Sequence, residues 1–165
     1  MAGHLGYELG AGVGVPLASR VGPPVACGGY AGALAAAYGG AGRLHGSRGV
    51  TVFAALNGVF LAAVLNHYAR WPRDPERRIP WLVECEGLRG RVIGPYNVML
   101  QAVLVSSLAG LVENREGWRW GLGFAVGTFH FFWWATPREY DRLVEQARHR
   151  PRWWNRRLSR SLVGS

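Results

Sequence analysis

Gly49–Ala69 reads GVTVFAALNGVFLAAVLNHYA, with Val, Phe, Leu and Ala at nearly every position from Val50 to Leu65 and no Asp, Glu, Lys or Arg anywhere. A surface helix of a soluble protein carries charges every three or four residues on its wet face, and this one carries none. Its length matches the ~30 Å hydrocarbon core of a bilayer, which about 20 apolar residues of helix cross. Three more windows pass the same test, between Arg20 and Arg43, Arg91 and Glu113, and Arg119 and Arg138. All 19 basic and all 10 acidic residues of the 165-residue chain fall outside the four windows.

The pattern predicts an all-α integral membrane four-helix bundle, with spans over about 21–42, 49–69, 92–112 and 118–136 and an amphipathic interfacial helix at the C-terminus. It divides the chain into a Gly-rich N-terminal segment (1–20), a transmembrane domain (21–136) and a basic amphipathic cytoplasmic tail (137–165). The N-terminal segment has no basic stretch ahead of an apolar one, so it reads as a poor secretory signal, and the first span is expected to insert uncleaved.

Every basic residue is Arg. With both termini inside, the cytoplasmic segments hold Arg20, the six Arg from Arg70 to Arg91 and the eight from Arg138 onward. The outer hairpins hold only Arg43, Arg48, Arg115 and Arg119. Arg-rich short loops stay cytoplasmic, so both termini are expected there. Arg without Lys, beside abundant Ala and Gly, matches GC-rich codon usage and points to the cytoplasmic membrane of a bacterium.

The inner loop from Arg70 to Arg91 is broken by Pro72, Pro75 and Pro80. Trp81, Leu82, Val83, Leu88, Val92 and Ile93 are expected to lie in the membrane interface. Thr136-Pro137-Arg138-Glu139 has the form of a capping box with Pro at the first helical position, so a new helix is expected to start there. Tyr140, Leu143, Val144 and Ala147 form its apolar stripe. Arg138, Arg142, Arg148, Arg150, Arg152, Trp153, Trp154, Arg156, Arg157 and Arg160 suit anionic headgroups or another polyanion.

Within the spans, Tyr30, Asn57, Gln101 and His130 lie near the four midpoints, a candidate midplane polar layer. Its ordinary role is to fix helix register; its functional reading is a ligand or proton site around His130. Asn66, His67 and Asn97 form a second group nearer the cytoplasm. A haem between His67 and His130 is disfavoured by their different depths. No spaced ligand motif is present, so no metal and no cofactor is expected. Asp74, Glu76, Glu84 and Glu86 each have an Arg nearby and read as solvated pairs. Gly28, Gly32, Ala36 and Gly40 in the first span, and Gly123 and Gly127 in the fourth, are small-residue faces suited to close helix packing. Cys27 and Cys85 suggest neither a disulfide nor a nucleophile, since Glu84 and Glu86 flank Cys85.

The expectation for function is a small polytopic membrane protein. It serves as a non-enzymatic accessory or oligomerising component of a membrane-associated assembly, with anionic lipid and a protein partner or a second copy as its partners. One alternative is a membrane protein that binds nucleic acid on its cytoplasmic face. The other is a small membrane enzyme for a lipid or isoprenoid-type substrate, with His130 as the catalytic residue.

Overall fold

The computed structural model describes residues 2–160, and the chain is predominantly α-helical. The helices are α1 (Ala2–Ala11), α2 (Ala18–Val21), α3 (Pro23–Ala41), α4 (Gly46–Arg70), α5 (Ile93–Glu113), α6 (Trp118–His149) and α7 (Arg156–Arg160). Between α4 and α5 lies a two-stranded antiparallel hairpin, β1 (Glu84–Cys85) and β2 (Leu88–Arg89). Pro23 opens α3, and Trp71, held extended ahead of Pro72, ends α4.

Two helical stretches, Gly46–Arg70 and Gly90–Glu113, are long and apolar enough to cross a membrane. The other two windows are not counted with them: α3 is built largely of Ala and Gly, and the start of α6 interleaves its Phe with Gly, Trp, Arg119 and His130, which lower its mean hydropathy.

Helix α4 is the centre of the assembly. Its Ala54, Gly58 and Ala62 recur every four residues, are buried, and make a flat face against α6. A Cβ on Gly58 would run into the Gly121 carbonyl, and one on Gly117 into Ala54 and the Val50 carbonyl. The small-residue seam is therefore Ala54, Gly58 and Ala62 against Gly117, Gly121 and Ala125. Gly28, Gly32, Gly123 and Gly127 meet nothing within 4 Å, Ala36 is exposed, and Gly40 touches only the nearby Leu44 side chain. The small-residue faces expected on α3 and α6 thus lie outside the packing of this chain.

Pro137 does not start a new helix; α6 runs through it unbroken to His149. Proline has no N–H to offer the carbonyl four residues back, which is that of Trp133. The Arg70 guanidinium supplies the missing donor across 2.6 Å, and its charge lies 4.3 Å from the centre of the Trp133 ring. The capping-box reading fails because a long-range donor compensates what a local one lacks.

The buried core sits at the end of the bundle where α4 stops and α5 begins. Val64, Tyr68, Tyr96 and Leu100 meet Leu143 and Ala147 of α6 there, with Val13, Val15 and Leu158 from the two terminal segments. Three expectations are corrected by this packing. The stripe on residues 140–147 lies against protein rather than a membrane surface. The inner loop folds back, so that Leu82, Cys85 and Leu88 are fully enclosed. The Gly-rich N-terminal segment is also part of the core: Gly14 (φ +82) brings the backbone against Leu143 and donates its N–H to the Trp154 carbonyl. Further along α5 and α6 the outward surface is apolar, with Val105, Val112, Leu122, Phe124 and Phe131 exposed.

Candidate metal centre

Two residues of α1 sit one helical turn apart, His4 and Glu8, and both are buried. Helix α1 is pinned to the bundle by the Tyr7 hydroxyl, which donates to the Val92 carbonyl at 2.7 Å. At its other end, Arg157 Nε donates to the Ala11 carbonyl at 3.0 Å. This docking points His4 and Glu8 at the inner end of α4, where His67 projects, and at the start of α5, where Tyr96 is fully enclosed.

His4 Nε2 lies 3.0 Å from Glu8 Oε1. The Tyr96 hydroxyl donates to the same oxygen at 2.8 Å and lies 3.4 Å from His4 Nε2. The His4 ring is 5.5 Å from that of His67 and 4.8 Å from that of Tyr96. One donor atom from each of His4, Glu8 and His67 falls within 4.8 Å of the others. On the far side, Cys85 Sγ lies 3.5 Å from His67 Nδ1 and 3.9 Å from the Tyr96 hydroxyl. Two buried atoms of the cluster, His4 Nδ1 and Glu8 Oε2, have no hydrogen-bond partner.

The hairpin that carries Cys85 turns through Glu86 (φ 50) and Gly87 (φ 83), both left-handed, as a two-residue turn of this kind requires. Glu in that conformation is unusual, since Asn and Gly are the residues that adopt it at little cost. The turn is braced by the Arg89–Glu84 pair at 2.5 Å and by Asn97, whose amide bonds both the N–H and the carbonyl of Leu82.

The electrostatics of the cluster are uneven. Burial works to raise the Glu8 carboxyl, but the pull and hydrogen bond of His4, helped by His67 and Tyr96, outweigh it and hold Glu8 below its ordinary value. Burial, reinforced by Glu8, pushes Glu86 up to about 8. Burial, then Glu86 and Glu8, pushes the Cys85 thiol well above its ordinary value. Cys85 is thus a thiol at neutral pH in the absence of a metal, as expected of a Cys beside acidic groups, with burial the larger cause.

The donor set suits a divalent transition metal. Tetrahedral Zn²⁺ with bonds of about 2.0–2.1 Å needs ligand atoms roughly 3.3 Å apart. His4 Nε2 and Glu8 Oε1 stand 3.0 Å apart, near that separation, and the donor atoms of His4, Glu8 and His67 all lie within 4.8 Å of one another. His4, His67 and Glu8 would hold such an ion through two imidazoles and a carboxylate, with the Tyr96 hydroxyl beside them, hydrogen-bonded to Glu8.

The residues expected to form a midplane layer do not converge. The Tyr30 hydroxyl donates to the Pro16 carbonyl, Asn57 Nδ2 to Phe53, and Gln101 Nε2 to Pro80. His130 is exposed and bonds the Val126 carbonyl of its own helix, so it is not part of a built site. Each has found a backbone partner, which removes the reason for the four to meet. In the basic tail, Arg138 lies over Trp134, Arg148 pairs with Glu145 at 3.5 Å, and Arg156 packs beside Gly12. Trp153 is exposed, while Trp154 packs on the core. The Arg160 side chain and residues 161–165 lie outside the described residues. Cys27 and Cys85 are both free.

The signal missed in the sequence was His4-x-x-x-Glu8, a spacing that puts both side chains on one face of a helix. Its setting among glycines hid the helix, and the third donor lies 63 residues beyond His4 along the chain. No protein-family model, no curated protein and no solved structure matches this chain.

Proposed function

We propose that this chain is a multi-pass membrane protein that holds a divalent transition metal, best fitted by Zn²⁺, at the point where its apolar helices leave the bilayer. The observation that carries the metal reading is the convergence of His4, Glu8 and His67 within 4.8 Å, with Glu8 Oε2 enclosed and unpartnered. A bound cation would complete the buried carboxylate, which otherwise lacks full hydrogen bonding. Only 33% and 28% of the most apolar windows of α4 and α5 are buried within the chain, which supports lipid rather than protein as their surroundings. His67 stands three residues from the end of α4 and Tyr96 three from the start of α5, so the centre lies where the two apolar helices end. The Arg-rich segments on this side favour the cytoplasmic face for that end of the helices.

With three protein donors, such an ion would keep a position for water or a substrate oxygen. There it would act as a Lewis acid and lower the pKa of what it binds. This reading places the chain among metal-dependent membrane proteins and moves the acid–base role from His130 to the centre around His67. The test is metal analysis of the full-length protein purified in maltoside micelles, followed by Zn²⁺ titration calorimetry. Wild type is expected to take up an equimolar amount; His4→Ala, Glu8→Gln and His67→Ala are each expected to bind at least roughly tenfold more weakly. Absence of uptake by the folded wild type overturns the reading.

The accessory role is favoured by a separate observation. The Gly28, Gly32 and Ala36 face of α3 is uncovered in this chain, and small residues let another transmembrane helix approach closely. Crosslinking between Cys residues placed at Gly28 and Gly32 in native membranes tests it. Discrete adducts support an assembly, and none above background rejects it.

A further inference from the structure

A second site lies away from the metal centre and shares no residue with it. A cleft of about 730 Å³ opens between α2, the last turns of α6 and the segment ahead of α7. Its lining includes Arg20, Arg142, Arg150 and Arg152, with Ser19 and Asn155. Arg20 already reaches Glu139, but Arg142, Arg150 and Arg152 gather like charge along the same lining, which is unfavourable unless something negative sits among them.

The carboxylates nearby are already engaged. Glu145, the one acidic residue in the lining, pairs with Arg148 at 3.5 Å and with His149 at 2.8 Å. Glu139 accepts the Ser19 N–H and reaches Arg20 at 3.7 Å. Among the described residues, Arg142, Arg150 and Arg152 have no acidic partner. The lining also holds polar atoms in want of an acceptor. Asn155 is only 1% exposed, and its Oδ1 accepts the Arg152 N–H at 2.7 Å. Its Nδ2 is enclosed with no partner, and the Ser19 hydroxyl is enclosed and unpartnered as well.

We infer that this cleft binds a phosphate group, carried either by a phospholipid headgroup or by a small soluble metabolite. Phosphate oxygens are acceptors only, while Arg is a donor only and takes phosphate in bidentate fashion. Arg side chains along the lining, with an enclosed and unpartnered Asn155 amide among the lining residues, are complementary to a single compact anion. An exposed run of Arg along a surface would instead suit an extended polyanion. The sequence places Arg142, Arg150 and Arg152 in a generally basic tail; the fold adds Arg20, Ser19 and Asn155 and makes a pocket of them.

The experiment uses full-length protein in maltoside micelles, with two probes. Glycerol 1-phosphate is titrated by calorimetry, and dioleoylphosphatidylglycerol doped into the micelles is counted by native mass spectrometry. Four proteins are compared: wild type, Arg142→Gln/Arg150→Gln/Arg152→Gln, Asn155→Asp, and a control of equal charge, Arg73→Gln/Arg78→Gln/Arg91→Gln. Asn155→Asp keeps the oxygen that holds the Arg152 N–H and replaces the orphan donor with a second oxygen. Because the position is buried, thermal melting beside wild type separates a lost fold from a lost site. The cleft triple variant and Asn155→Asp are each expected to bind at least roughly tenfold more weakly than wild type, with the control unchanged. Binding of both probes, or of the soluble one alone, assigns the site to a free phosphate compound; binding of the lipid alone assigns it to the headgroup. The inference is overturned if wild type binds neither probe, if Asn155→Asp binds as wild type does, or if the control loses as much as the cleft triple.

Discussion

The Arg70 guanidinium donates to the Trp133 carbonyl at 2.6 Å, the one carbonyl of α6 that Pro137 leaves without its helical N–H. A contact between residues 63 positions apart thus allows one helix to pass through a proline and carry Leu143 and Ala147 into the core.

This relationship predicts a double-mutant cycle. Arg70→Ala is expected to cost about 1.5–3 kcal/mol, the range for a hydrogen bond involving a charged group. Pro137→Ala restores the backbone N–H to Trp133 and is expected to recover most of that loss in the double variant. Thermal unfolding of the four proteins in micelles checks it; additive effects would mean that the two residues act independently.

The seam between α4 and α6 sets a contrast among glycines. Gly58→Ala drives a methyl into the Gly121 carbonyl and is expected to destabilise by about 1–3 kcal/mol or to separate the helices. Gly123→Ala and Gly127→Ala meet open space and are expected to be neutral or to gain up to ~1 kcal/mol from helix propensity. Denaturation midpoints of the single variants, measured in one detergent, decide between them.

Removing a bound ion is expected to lower thermal stability, because an ion held by His4, Glu8 and His67 would tie α1 to α4. At a free ion concentration of 100 times the dissociation constant, binding adds about 2.7 kcal/mol. Melting with and without a chelator should differ for wild type and coincide for His67→Ala. Equal melting of wild type under both conditions would leave the centre without a metal role.

In metal-free protein, Glu86 and Glu8 act in opposite directions with pH. The folded value of Glu86, about 8, lies above its ordinary 4.5. Its contribution to stability is full below 4.5 and is lost as pH rises through 8, since the unfolded carboxylate ionises first. Glu8 sits below its ordinary value, so its contribution is present above 4.5 and is lost on acidification. Glu86→Gln is therefore expected to flatten the decline in stability between pH 5 and pH 8 and leave the acid limb in place. Chelator-treated samples melted across that range provide the test.

The helical stretches were legible in the chain because lipid-facing and core-facing helices both exclude charge. The windows 21–42, 49–69 and 92–112 correspond closely to α3 (Pro23–Ala41), α4 (Gly46–Arg70) and α5 (Ile93–Glu113). Local signals failed where a distant group supplied what the neighbourhood lacked. Pro137 resembled a helix start until Arg70 served the Trp133 carbonyl. The Gly-rich segment 1–20 reads as separate from the spans, although Gly14 is what lets the backbone approach Leu143.

Composition by itself determined the helical class and the separation of apolar helices from Arg-rich segments, because burial in hydrocarbon or core forbids unpaired charge along a whole helix. Tertiary structure alone decided which small residues touch, that the tail packs on protein, and that His4, Glu8 and His67 share one buried space. Periodicity reports which face of an element is buried, but a site assembled from α1, α4 and α5 depends on helix docking, and the donors to be matched lie far apart in sequence.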